Sequence, residues 1–215
     1  MKLPVAVAAC REVLQRGLLA LELPADETLL APLLHYLALL VQWNGAYNLT
    51  AVREPHEMVG KHLLDALAVW PEARGQRLVD VGCGAGLPGI PLMLAGACES
   101  ALLVDSNGKK VRFCKHAVAE LGLSSRVEAR QARVEGLSAA DGGDRVISRA
   151  FAALADFAQT AGALVRPGGR LLAMKGRPEA SELQALPAGW VLVGERHYAV
   201  PGVAAERVLL SCARA

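Results

Sequence analysis

The sequence predicts an α/β protein: a doubly wound sheet, three layers thick, with helices packed beside it. Three observations carry this expectation. From residue 76 onward, short apolar runs alternate with helical stretches, the pattern of a largely parallel sheet covered on both faces. The first of these runs opens onto four glycines, in RLVDVGCGAGLPGIP at 77–91. Before residue 70 the apolar residues recur at helical spacing instead.

In chain order, Leu14, Leu18, Leu19 and Leu21 mark a first helical stretch. Asp26 is placed to cap a stronger one, with Leu29, Leu30, Leu33, Leu34, Leu37, Leu40, Val41 and Trp43 on its apolar side. A third helix is expected from Pro55 to Trp70. Then follow strand 77–82, helix 88–96, strand 101–106, a basic helix 108–121, and strands 126–131 and 144–150. A helix at 152–165, a strand at 168–176 and a terminal pair of strands, 189–200 and 206–213, complete the list as an edge hairpin. Residues 1–70 thus read as an N-terminal helical part and 71–215 as the sheet domain, the two forming one compact unit.

The 215 residues are 53% hydrophobic, ample for a core, and Lys+Arg number 23 against Asp+Glu 21. A net charge of +2 is too even to announce a nucleic-acid partner, so any basic footprint must be local. The five cysteines include no CxxC pair and no accompanying His spacing. Free thiols in a reducing cytoplasm, with no metal and no disulfide framework, are expected. The apolar run in MKLPVAVAACREV is too short for a signal segment and is followed at once by Arg11 and Glu12. No stretch reads as the ~20 apolar residues of a membrane span.

Two registers compete at the glycine turn. Gly84, Gly86 and Gly89 satisfy G-x-G-x-x-G, the dinucleotide pattern. Asp80, Gly82, Gly84 and Gly86 form the other, which starts where the strand ends. A pyrophosphate needs free N–H groups at the following helix start. Pro88 and Pro91 remove two of them. A ligand without phosphates loses nothing by this, and S-adenosylmethionine is such a ligand, with the glycines allowing close backbone approach. The next strand ends at Asp105, whose carboxylate can accept both ribose hydroxyls, each bond worth ~1.5–3 kcal/mol. Ser106 follows it on the same edge. The bland alternative is a tight turn and a helix cap.

The acceptor is approached through the fourth strand, which ends Ser148-Arg149-Ala150-Phe151. Many methyltransferases acting on exocyclic amines carry an acid and prolines there, to orient the amine and take its proton. Guanine N7 has a lone pair and no proton, so it fits a site lacking such a base, and catalysis by alignment suffices. Local cations could hold RNA phosphates: Lys109, Lys110 and Arg112 after the second strand, and Arg53, Lys61, His62, Lys175 and Arg177 around the expected mouth. A solvated charged face is the competing reading. Asn48, Arg149 and Lys175 are positioning candidates, although Asn48 also reads as a turn residue. His62 and Asp65, three apart, can meet on a helix face. Trp43, Tyr47 and Phe151 either stack on a base or belong to the core. A methyltransferase of small molecules or proteins, a nicotinamide-dependent oxidoreductase and a non-catalytic RNA-binding module remain open on these grounds.

Five stretches together carry a family resemblance: NLTAVREPHEMVGKHLLDAL at 48–67, DVGCGAGLPGIPL at 80–92, DSNGKKVRF at 105–113, ARVE at 132–135 and VISRAF at 146–151. They resemble the bacterial small-subunit ribosomal RNA guanine-N7 methyltransferases, the glucose-inhibited division protein B family, from about residue 33 to the C-terminus. The resemblance implies a Rossmann-like, mostly parallel sheet with an antiparallel edge strand. It implies S-adenosylmethionine as cofactor and methylation of one guanine in 16S ribosomal RNA, free or within the small ribosomal subunit or its precursor. It places cofactor contacts on Gly82, Leu87, Val134, Glu135 and Arg149. Three positions depart from the family pattern: Cys83 stands where Thr or Ser is usual, Ala66 replaces a common Ser, and SCARA at the C-terminus lacks a Lys often found there, with Arg214 close by.

Overall fold

A computed structural model describes residues 3–149, 151, 153–176 and 185–215. The N-terminal part contains α1 (Val5–Ala8), α2 (Arg11–Ala20) and α3 (Glu27–Tyr47). The Asp26 side chain accepts from the Thr28 N–H at 2.9 Å, capping α3 as its position predicts. By length and composition alone this 21-residue helix, mean hydropathy 1.2, would suffice to cross a membrane. Here Leu30, Leu33, Leu34, Leu37 and Leu40 are fully buried inside the protein, each contributing ~1.5–3 kcal/mol.

The single helix expected over 55–70 changes pitch instead. It starts as α4 (Pro55–Met58), widens into a π-helical segment (Val59–Leu64), narrows into α5 (Asp65–Leu67), and a separate turn, α6 (Trp70–Ala73), follows. Gly60 in the wide segment packs so closely on the end of the sheet that a Cβ there would lie 2.9 Å from Val203 Cγ2.

The sheet is built from β1 (Gly75–Val81), β2 (Cys98–Asp105), β3 (Val127–Gln131), β4 (Gly143–Ser148), β5 (Val165–Lys175), β6 (Trp190–Val200) and β7 (Val203–Arg214). Its helices are α7 (Gly89–Leu94), α8 (Gly108–Glu120) and α9 (Leu154–Ala161), the last prolonged by a 3-10 turn at Gly162–Leu164. Strand order among the described residues is β3-β2-β1-β4-β5-β7-β6. β1 to β5 pair in parallel, whereas β7 inserts antiparallel between β5 and β6. The edge hairpin expected at the C-terminus is therefore present, with its second strand inside. Several expected boundaries move: β4 ends at Ser148, α9 begins only at Leu154, and β2, β5 and β7 each start three residues early, at Cys98, Val165 and Val203. Ala150, Ala152 and Arg177 lie outside the described residues.

Alternate strand residues feed two cores. Leu78 and Leu103 join the core shared with the N-terminal helices, α7 and α8. Val79, Leu102 and Val104 join the opposite core beneath α9. This alternation makes three layers. The chain runs outward from β1 to β3 and returns to β4 on the other side of β1. Strand order thus reverses beside β1, where ligands of such sheets bind, past the carboxyl ends.

Candidate active site

Past β1, Gly82, Gly84 and Gly86 take φ values of 69°, 58° and 81°, the left-handed region that disfavours any Cβ. The backbone therefore uses the Asp80–Gly82–Gly84–Gly86 register. Around the start of α7 the amide donors are used inside the protein: Gly89 N–H donates to Asp80 Oδ2 at 2.8 Å, and Ile90 N–H to the Gly86 carbonyl at 2.7 Å. Leu92 N–H donates to the Pro88 carbonyl at 3.2 Å, while Pro88 and Pro91 have no N–H to give. A diphosphate would find no donor row here.

The turn is held from several sides. Asp80 is fully buried, and burial pushes its carboxyl up to about 7 against the opposing pull of the Gly89 N–H. Its Oδ1 has no partner among the described residues. Tyr36 on α3 donates its hydroxyl to the Ala85 carbonyl at 2.7 Å. Asp105 accepts from Gly84 N–H (2.9 Å) through Oδ2 and from Asn107 N–H (2.8 Å) through Oδ1. Each oxygen keeps a second lone pair, so the carboxylate is oriented without being exhausted.

Three cavities adjoin along this edge. The first, about 340 Å³, is walled by Gly82, Asp105, Ser106, Val134, Glu135 and Phe151. Phe151 stacks on Phe157 at 4.8 Å, presenting a fixed apolar wall. The second, about 200 Å³, lies against Gly82, Gly84, Leu87, Thr50, His62 and Arg149. The third, about 320 Å³, is bounded by His62, Asp65, Arg149, Lys175, Tyr198 and Arg207. Gly82 and Lys110 wall both the first and the second; His62 and Arg149 wall both the second and the third.

The junction of the second and third cavities is electrostatically organised. Buried Asp65 accepts from Arg149 Nη1 at 3.1 Å and from Arg207 Nε at 2.8 Å. His62 Nε2 lies 2.8 Å from the Thr50 hydroxyl. Burial is the main cause holding its imidazole below the usual range, with Arg149 adding to it. Thr50 is itself fixed, because its N–H donates to Asn44 Oδ1 at 2.9 Å. Asn44 Nδ2 in turn donates to the Val52 carbonyl at 3.1 Å.

The structure sorts the sequence-predicted residues. Gly82, Gly84, Leu87, Asp105, Ser106, Val134, Glu135 and Arg149 wall the first two cavities. Asp80 and Gly86 lie beneath the turn, buried. Lys110 falls on the crevice, whereas Lys109 and Arg112 stay exposed on α8. Lys61, His62 and Lys175 wall the third cavity, and Lys61 pairs with Glu57 at 2.6 Å. Asn48 ends α3 in the left-handed region, and its Oδ1 accepts from Arg53 Nη2 at 2.7 Å. This is the turn-forming role. His62 and Asp65 face the same cavity but bond to different partners, not to each other. Trp43 stacks on Tyr47 at 5.2 Å and sits 5.7 Å from Phe113, within the aromatic packing of α3 and α8. Arg214 donates to the Gly162 carbonyl and covers the Trp190 ring, a packing role. Sequence reasoning missed Tyr36, Asn44, Thr50 and Arg207, whose partners lie across the chain or across a loop.

This strand order, a glycine turn closed to phosphate and an acid at the end of β2 beside a cationic cavity define a Rossmann-like methyltransferase. Residues 30–210 match the family model of rRNA small subunit methyltransferase G, GidB. The chain belongs to that family. It is 51% identical to the ribosomal RNA small subunit methyltransferase G of Chromohalobacter salexigens over 207 residues, 96% of this chain and 99% of the relative. Among solved structures, a Streptococcus agalactiae protein of the NADB-Rossmann superfamily superposes with a TM-score of 0.57 at 20% identity, covering 70% of this chain and 67% of the other. A methyltransferase from Thiobacillus denitrificans, described as SAM-dependent and bound to S-adenosyl-L-homocysteine, gives 0.50 at 13% identity, covering 62% and 66%.

Proposed function

We propose that this enzyme methylates N7 of a guanine in 16S ribosomal RNA, in the cytoplasm, using S-adenosylmethionine. The observation that carries the reading is the run of three cavities, from the Asp105 wall through the glycine turn to the cationic mouth. The residues fit the cofactor. Asp105 keeps free lone pairs for a ribose, and Val134 and Phe151 offer apolar walls to an adenine. A Cβ at Gly84 would project into open space, the room a closely approaching ligand needs. When bound, the cofactor supplies a sulfonium methyl group to a nucleophile.

The side chains here align and shelter, and they take up no proton. Guanine N7 has a lone pair and no hydrogen. Asp65, the acid along the third cavity, already accepts from two arginines. Holding nucleophile and methyl donor in line is the main contribution such a site can make. Small-subunit ribosomal RNA as the substrate is supported by family membership.

The test is mapping of 7-methylguanosine in 16S ribosomal RNA from cells with and without this protein. One guanine is expected to lose its modification in the deletion strain. An unchanged map overturns the reading. Calorimetry adds a second check: S-adenosylmethionine should bind at micromolar concentration and NAD should not.

A further inference from the structure

We propose that Arg149 and Arg207, held side by side by Asp65, clamp a backbone phosphate of the RNA, making the third cavity a phosphodiester subsite beside the acceptor base. The inference rests on the rRNA-methylating reading above. Asp65 lies on α5, Arg149 just past β4 and Arg207 in β7, separated from Asp65 by 84 and 142 residues. Burying one carboxylate requires one cationic partner. This site supplies two, so the pair of arginines carries a net positive charge that Asp65 does not cancel. Lys61 and Lys175 wall the same cavity.

Geometry favours a phosphate over other anions. Arg149 bonds Asp65 through Nη1 only, and Arg207 through Nε, with its Nη1 on the Glu206 carbonyl. A guanidinium has five N–H donors in a planar fork. Both forks therefore keep donors for an acceptor with several oxygens, the arrangement that suits phosphate. Of the other side chains along this cavity, Tyr198 buries its hydroxyl without a partner among the described residues. A phosphodiester beside the base also serves the chemistry. The base gains positive charge on methylation, and a neighbouring phosphate offsets the repulsion from the arginines.

The test measures methyl transfer to 16S ribosomal RNA or small subunits, whichever the parent protein accepts, together with binding to that RNA across a salt series. Arg207→Gln keeps a hydrogen-bond donor for Asp65 and loses the charge. It is expected to raise the RNA KM about tenfold and to lower the slope of log affinity on log salt by about 0.7–0.9. Affinity for S-adenosylmethionine should stay within about twofold. Arg207→Lys should restore the slope, because charge sets it, but not the full affinity, because the fork is lost. Weakened RNA binding with an unchanged slope, or unchanged binding, overturns the clamp. A parent protein that methylates no ribosomal RNA sinks the underlying function instead, so the two failures are told apart.

Discussion

The glycine turn and the cationic mouth adjoin, yet they are built in opposite ways. The turn is a backbone structure. Left-handed glycines shape it, and two buried side chains, Asp80 and Tyr36, each brace it with a hydrogen bond of 2.8 or 2.7 Å. The mouth is a side-chain structure, in which Asp65, Arg149 and Arg207 meet from three separate elements. The turn excludes charge-rich ligands by using up its own donors. The mouth leaves donors over, which on the proposed reading attract them. One crevice can thus take a phosphate-free cofactor at one end and a polyanion at the other.

Three substitutions at the turn side sharpen this division. The largest effect is expected from Asp105→Ala, which removes the proposed acceptor for two ribose hydroxyls. At ~1.5–3 kcal/mol per charged bond, S-adenosylmethionine affinity should fall at least about 100-fold by calorimetry, with the fold retained. If RNA binding falls instead, the two ends are not separate.

Next is Asp80→Asn, read by denaturation across pH. Burial raises this carboxyl from 3.8 to about 7, so between those values the folded protein holds a proton that the unfolded chain has shed. Its contribution to stability is complete below about pH 4 and is lost as pH rises through about 7, a change on the order of 4 kcal/mol. The asparagine variant should lack that decline. Parallel pH curves for the two proteins would show that Asp80 ionises normally. The smallest effect belongs to Tyr36→Phe. It leaves the Ala85 carbonyl without its donor, a loss of about 1–3 kcal/mol in stability. A several-fold weaker cofactor affinity should accompany it, and the RNA salt slope should not move.

The same division explains what the sequence reveals. The turn is legible because its determinants are local: Asp80 to Gly86 span seven residues, and Pro88 and Pro91 sit where the missing donors matter. Strand alternation with helices likewise announced the sheet, although not the insertion of β7 between β5 and β6, which no local pattern encodes. Asp105 was legible from its place at a strand end. Arg207 was not, because its partner lies 142 residues away and its neighbourhood reads as an ordinary edge strand. Tyr36 was hidden among leucines at helical spacing, 49 residues from the carbonyl it holds. Asn48, conspicuous in YNLT, proved to shape the chain, whereas Asn44 and Thr50 on either side of it support His62.

The wide turn at Val59–Leu64 acts as a phase adjuster. A regular helix advances about 100° per residue and a wider one less, so this segment sets the bearing of Asp65 relative to His62, three positions earlier. At regular pitch, residues three apart become neighbours on one face, whereas here His62 bonds Thr50 and Asp65 bonds the two arginines. The same segment touches the start of β7 through Gly60, so a change of its pitch would be felt in the sheet as well as in the mouth.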